Sequence, residues 1–465
     1  MAGASTLDIA KFLSGLKFTK FHLTLLVLSS LVTFFDGLDF LLIAYTLPYI
    51  RDEMGLTNEM MGTVSSAAFL GQMIGSLVGS YFADIFGRRP VILICTLLSA
   101  VLTFVTGFAD TPEMLIALRF IGGLAIGGLL APAWSINIEA MPASMRATSV
   151  TIIMLGFSAG GAAAGPITNF IAPAYGWHYV FFTCGALTLV LAAVLLFVLP
   201  ESMRWMVAKG KPAAKIRPMV NRFDPAFKTG AIEHFTLSDE RKTSQREDPW
   251  TKFMELFRGP LALITPLIWA AYFCSSFAIY LKASFGVLFL EELGLTVANA
   301  TWISSIGGLA GAVAGVFLLA FTEKRGPGWI TLAPLLGIPF VLLIGFGTVV
   351  GTSMFVPVVI MAAIVVGAGH AGVISITSIY YPSAVRSTGG GWASFMAKFA
   401  SVSAPLVGAA YFLGSVPAVL DSYIFTGACL AGIVVCVLAL SHFAKRLKTG
   451  EDQDALAAGE PAPAE

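Results

Sequence analysis

The chain has 465 residues, 57% of them hydrophobic and only 12% charged, with a formal net charge of +1. Soluble globular chains carry about 25% charged residues, so this composition excludes a water-soluble globular protein and leaves an integral membrane protein with room for many spans. No basic stretch interleaved with aromatics suggests nucleic acid, and no Ser/His/Asp or metal-ligand constellation suggests an enzyme.

Residues 1–21 read as a cytoplasmic N-terminus. Lys11, Lys17 and Lys20 precede an overlong apolar run without a convincing signal-peptide cleavage site, so the first helix is retained. Apolar runs punctuated by turns and charges then predict an all-α membrane protein of twelve transmembrane helices in two six-helix halves. The first bundle, 22–199, holds spans at 22–49, 60–83, 90–109, 113–138, 148–172 and 177–199. A polar cytoplasmic linker, 200–259, separates it from the second bundle, 260–443. That bundle holds spans at 260–290, 297–321, 328–350, 353–380, 388–413 and 419–443, and a tail follows at 444–465. The five cysteines lie in apolar runs without metal-ligand spacing and read as small core residues.

The first span carries Phe34-Phe35-Asp36-Gly37-Leu38-Asp39-Phe40. Asp36 and Asp39 are three residues apart and share a helix face. An ionised carboxylate at membrane depth costs several kcal/mol and two neighbours repel, so either one is protonated or cations lie nearby. Both conditions suit a proton-coupled carrier. Of the 28 Lys and Arg, 24 fall on one side if the N-terminus is cytoplasmic, which predicts both termini and the linker inside. Arg51 is the one base outside, and three remain within spans: Arg119, Lys282 and Lys398. Lys282 lies about 13 Å from the outer end of its span and Lys398 about 15 Å from the inner end of its own. His370, after Gly369, is either a proton relay or a buried hydrogen-bonded histidine.

An internal repeat links the halves. Pro142-x-x-x-Arg146-x-Thr148 recurs 240 residues later as Pro382-x-x-x-Arg386-x-Thr388, with Gly-rich helices after each. The loop Asp84-Ile85-Phe86-Gly87-Arg88-Arg89 has a counterpart in Glu323-Lys324-Arg325-Gly326. Two six-span halves with a site at their interface is the plan of major-facilitator carriers.

The stretch Ser80-Tyr-Phe-Ala-Asp84-Ile-Phe-Gly87-Arg88-Arg89 resembles the signature of the major facilitator superfamily, with Ser80 in place of Gly and Ile85 in place of a basic residue. Glu139-x-x-Pro142-x-x-x-Arg146 and Pro200-Glu201-Ser202-x-Arg204-Trp205 also match its patterns. Within it, Asp36-Gly-x-Asp39 followed by Leu47-Pro48, and Arg119 before a Gly-rich stretch, resemble the aromatic acid:H+ symporters, with Lys398 where arginine is expected. That resemblance implies a plasma-membrane carrier of a small organic anion, with protons as the coupling ion, no other cofactor, and operation as a monomer. Asp36 and Asp39 would couple the proton. Arg119, Lys282 and Lys398 would neutralise the carboxylate, and Tyr280, Trp134 and Trp392 would pack against its ring. Lys282 could instead pair with Asp36 or Asp39. At the cytoplasmic gate Asp84 would accept hydrogen bonds at a helix N-terminus and Arg88 and Arg89 would hold the facing loop. Glu139 with Arg146, and Arg386 in the second half, would complete it. A sugar or polyol porter and an organic-acid efflux carrier are the alternatives within the same fold.

Overall fold

In the computed structural model the described residues are 5–227, 232–238, 249–325, 327–381 and 385–457. They form two compact units, Met1–Ser244 and Gln245–Glu465. Pro382, the start of the repeated motif in the second half, lies outside the described residues, as do the side chains of Glu323 and Lys324.

The first unit opens with a short strand, β1 (Ser5–Asp8), and helix α1 (Ile9–Gly15), followed by α2 (Lys20–Met54). The remaining long helices are α3 (Asn58–Phe86), α4 (Arg88–Thr106), α5 (Pro112–Ala140), α6 (Arg146–Tyr175) and α7 (Trp177–Val198). Each begins or ends where local chemistry dictates. Thr57 and Thr111 accept hydrogen bonds from the amides of Met60 and Met114, satisfying donors that a helix start leaves open. Gly87, at φ 114°, makes the tight break between α3 and α4 in a conformation that other residues resist.

These helices approach closely because glycine lines the crossings. A Cβ on Gly75 would run into the Leu124 carbonyl, and one on Gly127 into that of Gln72, so α3 and α5 pack backbone to backbone. Gly37 and Gly160 do the same for α2 and α6, against Phe157 and Phe34. Without a hydrophobic force between helices in lipid, such small-residue contacts are what holds spans together.

The segment expected to be a plain polar linker is partly built into this unit. It contains α8 (Met203–Ala208), α9 (Ala213–Phe223) and β2 (Ile232–Thr236). β2 pairs in parallel with β1, and Arg217 on α9 donates two hydrogen bonds, 3.1 and 2.6 Å, to the Ile232 carbonyl. Ile9 and Leu13 of α1 are buried with Leu25, Met141, Ile153, Trp205 and Val220. The amphipathic α1 and α9 thus cover the end of the bundle where α2 begins and α5 finishes.

The second unit comprises α10 (Pro249–Glu255), α11 (Leu261–Glu292), α12 (Val297–Arg325), α13 (Leu332–Gly345), α14 (Phe355–Tyr380), α15 (Arg386–Tyr411) and α16 (Val416–Ala457). Its α12 and α14 repeat the α3–α5 packing: Gly311 and Gly367, each 240 residues beyond Gly71 and Gly127, back onto one another. The ninth span is shorter than expected, because α13 stops at Gly345 and Gly347 follows at φ 69°. The last helix continues past the predicted 443 to Ala457. Twelve helices among the described residues are long and apolar enough to cross a membrane.

Candidate functional site

The buried charge of the first unit is concentrated where α2, α4, α5 and α7 meet. Asp39 and Arg119 are 4% and 3% exposed, and Arg119 Nη1 lies 3.5 Å from Asp39 Oδ2. Thr103 donates to Asp39 Oδ1 at 2.5 Å, and Arg119 Nη2 donates to Thr106 Oγ1 at 3.1 Å. The guanidinium also sits over the Phe181 ring, 5.3 Å from its centroid. Both Asp39 oxygens and both terminal nitrogens of Arg119 therefore have partners, as charges at this depth require. Arg119 does not snorkel to the surface. Asp36, one turn earlier on α2, is also buried.

Two consequences follow for the sequence-based assignments. Asp39 and Arg119, read separately as a proton carrier and a substrate cation, form one ion pair. Asp39 is held within its own unit by Arg119 and Thr103, which makes Lys282 unnecessary as its counter-ion.

In the second unit Lys282 Nζ is enclosed without a hydrogen-bond partner among the described residues and lies 5.4 Å from the centroid of the Tyr423 ring. On the same helix, Ser275 Oγ is 2.9 Å from His370 Nδ1, and the Tyr280 ring meets the His370 ring edge-on at 6.4 Å. His370, on α14, thus meets α11 through Ser275 and Tyr280. Lys398 is half-buried on α15.

The two tryptophans do not join these groups. Trp134 packs at the end of α5 with the cluster that contains Leu25, Met141 and Ile153. It is 15 residues from Arg119, about 22 Å along the helix axis. Trp392 sits near the start of α15, against Phe253 of α10 and Trp269 of α11. Trp392 thus belongs to an aromatic cluster near the start of α15, and Trp134 to an apolar cluster near the end of α5.

The signature between α3 and α4 organises a second polar cluster. Arg88 Nη2 lies 3.2 Å from Asp84 and 3.1 Å from Glu139, and Ser202 donates to the other Glu139 oxygen. Arg89 donates to the carbonyls of Leu196 and Leu199, both at 2.7 Å. The expected helix-terminal acceptor is not Asp84, whose side chain points outward from the last turn of α3. Glu201 takes that place, accepting from the amides of Arg88 and Arg89 at 2.9 and 3.2 Å, where the dipole of α4 favours a carboxylate. Burial pushes the Glu201 carboxyl above its ordinary range, against the opposing pull of the Ser202, Arg89 and Arg88 amides and the Arg88 charge. Trp205 Nε1 donates to the Asp84 carbonyl at 3.0 Å.

Arg146 does not reach Glu139. Its Nε donates to the Met141 carbonyl at 3.2 Å, and Arg386 repeats this on the Tyr381 carbonyl at the same distance. Each opens a helix and turns back to close the end of the preceding one. Sequence reasoning missed Thr103, Thr106, Phe181, Ser275 and Tyr423. Thr103 and Thr106, three apart on an apolar helix, carried a usable signal. Glu201 and Ser202 stood in a recognised motif but without a partner.

Twelve apolar spans in two units, with ionisable side chains paired at membrane depth, define a polytopic membrane transporter. Comparison with known proteins makes the class specific. The chain belongs to the Major Facilitator Superfamily, which matches residues 29–405. It is therefore a transporter and not an enzyme. It is 27% identical to the 4-hydroxybenzoate transporter PcaK of Acinetobacter baylyi over 87% of this chain and 88% of that one. It is 28% identical to a gallate transporter of Pseudomonas putida, with 87% and 88% covered. Among solved structures, a bacterial homolog of the human lysosomal transporter Spinster, in an inward-facing conformation, has a TM-score of 0.70. It shares 16% identity and covers 92% of this chain and 99% of its own. The xylose transporter XylE of E. coli has a TM-score of 0.67 at 16% identity, covering 91% and 99%. These two share the fold. Among the described residues no group of three or more His, Cys, Asp or Glu side chains is placed to hold a metal ion.

Proposed function

We propose that this chain carries an aromatic carboxylate across the plasma membrane together with protons, by alternating access between its two halves. The observation that carries the reading is the buried pair of Asp39 and Arg119. An anion entering the site competes with Asp39 for the guanidinium, and protonation of Asp39 removes the competitor. Proton and carboxylate then load together, and the loaded site has less net charge to reorient than either alone would leave. Asp36 supplies a second carboxylate on the same face. Lys282, enclosed beside Tyr423 without a hydrogen-bond partner among the described residues, is a second cation able to receive an anionic group. Lys398, Tyr280 and His370 are the remaining residues assigned to the substrate.

The names of the relatives support an aromatic acid as substrate. Both termini are placed in the cytoplasm by the charge distribution, with the halves at 22–199 and 260–443 and the protein acting as a monomer. The Arg88–Glu139–Glu201 network then lies on the cytoplasmic side, where it would steady the gate. The stretch Pro200-Glu201-Ser202-x-Arg204-Trp205 is the sequence feature that would suggest a sugar porter. Glu201, Ser202 and Trp205 are occupied in that network, and no observation favours a sugar.

The test is uptake of radiolabelled 4-hydroxybenzoate by proteoliposomes with and without an inward proton gradient, competed by benzoate, phthalate and glucose. Gradient-driven accumulation is expected in the wild type. Asp36→Asn is expected to abolish accumulation, and normal proton-driven uptake by that variant would remove Asp36 from the coupling role. Uptake of no acid, with glucose bound instead, would overturn the reading.

A further inference from the structure

At the end of the first unit opposite its N-terminus, one carboxylate and one imidazole join three helices. Glu53 lies in the last turn of α2, and Trp177 and His178 open α7. Trp177, fully buried, donates its Nε1 hydrogen to Glu53 Oε2 at 3.1 Å. His178 Nε2 is 2.9 Å from Glu53 Oε1, and His178 Nδ1 is 2.9 Å from the carbonyl of Gly107, the residue after α4.

Both ring nitrogens therefore meet an acceptor. A neutral imidazole has one N–H and one lone pair, and can donate to only one of them. The bridge is complete when it holds one proton beyond a neutral ring and a bare carboxylate, whether that proton rides on Nε2 or on Glu53. Without it, the Nε2 lone pair faces a carboxylate oxygen, and the contact turns repulsive. Other titratable groups lie on the elements that pack here. Arg51 and Asp52 on α2 meet each other at 2.8 Å. Asp110 follows α4, Glu113 begins α5, and Tyr175 and Tyr179 flank the α6–α7 junction.

The joined helices are the ones that build the buried ion-pair site. α2 carries Asp39. Gly107 follows Thr106, which accepts from Arg119. Phe181, under the guanidinium, is one turn after His178 and stacks edge-on with Trp177 at 5.8 Å.

We infer that His178 is a positioning residue, holding α2, α4 and α7 around Arg119 through a bridge that needs a proton from the face where it lies. This rests on the transport reading above, under which that face is the outer one. The bridge is closed while that proton is held and opens when it is withdrawn to that face. Substrate affinity falls with it.

The decisive variant is Glu53→Gln. A glutamine can donate its amide hydrogen to the lone pair of a neutral His178 while its oxygen still accepts from Trp177. The bridge then closes without the extra proton. Counterflow of 4-hydroxybenzoate is measured in proteoliposomes with equal pH on both sides, from about pH 5 to 8. The wild-type KM is expected to rise about two- to thirtyfold toward the alkaline end, the range over which residues that touch no ligand modulate a site. In Glu53→Gln it should keep its low value there, and His178→Gln should show no step in the same range. A second readout needs no transport: the melting midpoint of the purified protein should fall with rising pH in the wild type more than in Glu53→Gln. Superimposed wild-type and Glu53→Gln profiles in both measurements would overturn the inference. A difference in melting with an unchanged KM would reduce the bridge to a structural clamp and overturn the positioning role. If no acid is transported while melting separates the variants, the transport reading fails and the proton-dependent bridge stands.

Discussion

Replacing Asp39 by asparagine removes a charge and almost nothing else. The Asn oxygen still accepts from Thr103, and the side chain keeps its volume. What is lost is the counter-charge of Arg119, which is 3% exposed and 3.5 Å away. At an effective dielectric of about 20, two unit charges at this distance attract by about 5 kcal/mol. Breaking a buried pair from one side costs about 3–5 kcal/mol by measurement on other proteins. The two figures agree, and for a unit of this size each kcal/mol shifts a melting midpoint by about 2–4 °C. Asp39→Asn should therefore lower the midpoint in detergent by about 6–20 °C. Arg119→Gln, which leaves the carboxylate alone, should cost a comparable amount. The double variant should recover most of the loss, because two neutral amides can hydrogen-bond where two charges did. The assay is a fluorescence melt of the four proteins in one detergent at one pH. Additive penalties, within about 0.5 kcal/mol, would show that the two side chains act independently and would refute the pairing.

Two further outcomes test the frame of the molecule. The folded state holds the Glu201 proton to higher pH than the unfolded chain, whose ordinary value is 4.5, because burial disfavours the carboxylate. Between that value and the raised one the folded state binds more protons, so stability falls as pH rises from about 4.5. A pH series of melting midpoints should show this slope in the wild type and lose it in Glu201→Gln. Gly75→Ala places a Cβ against the Leu124 carbonyl at the α3–α5 crossing and should cost about 1–3 kcal/mol. Gly308→Ala meets nothing within 4 Å and should instead stabilise α12 by up to about 1 kcal/mol. Equal melting midpoints for the two alanine variants would contradict the packing described.

The twelve spans were legible because a bilayer imposes one crude requirement, a long apolar run, and the sequence meets it twelve times. Helix ends were less so, since Gly345 and the helical continuation beyond 443 depend on backbone geometry and not on hydropathy. The three charged side chains Asp36, Asp39 and Arg119 were visible for the same reason as the spans: each violates the apolar pattern. That Asp39 and Arg119 face each other was not visible, because nothing in a pair 80 residues apart records which way two helices are turned. Phe181 was invisible as a site residue, being ordinary for its helix until a guanidinium sits over it. Arg88 and Arg89 were found by motif, yet their partners were not: Glu201 stands 113 residues from Arg88 and meets its amide only through the packing of α4 on α7. Trp134 and Trp392 were named for their aromatic character, which says nothing about depth along a helix. The short strand Ser5–Asp8 offered no signal, with no run of β-branched or aromatic residues and a partner supplied from beyond six spans.

That strand has a consequence for how the chain is made. Ser5 pairs with Ile232, roughly 230 residues later. At about 5–20 residues per second, the ribosome needs on the order of 10–45 s to deliver the second strand after the first. Throughout that interval the six long helices of the first unit, α2 to α7, are synthesised while Ile9 and Leu13, buried in the finished fold, still lack the α8 and α9 side chains that cover them. Because the two strands join on one side of the membrane, an even number of crossings must separate them, and any nascent chain that has misplaced one helix cannot close the sheet. The strand made earlier is thus among the last elements of its unit to settle, and its pairing reports an even number of crossings between the two strands.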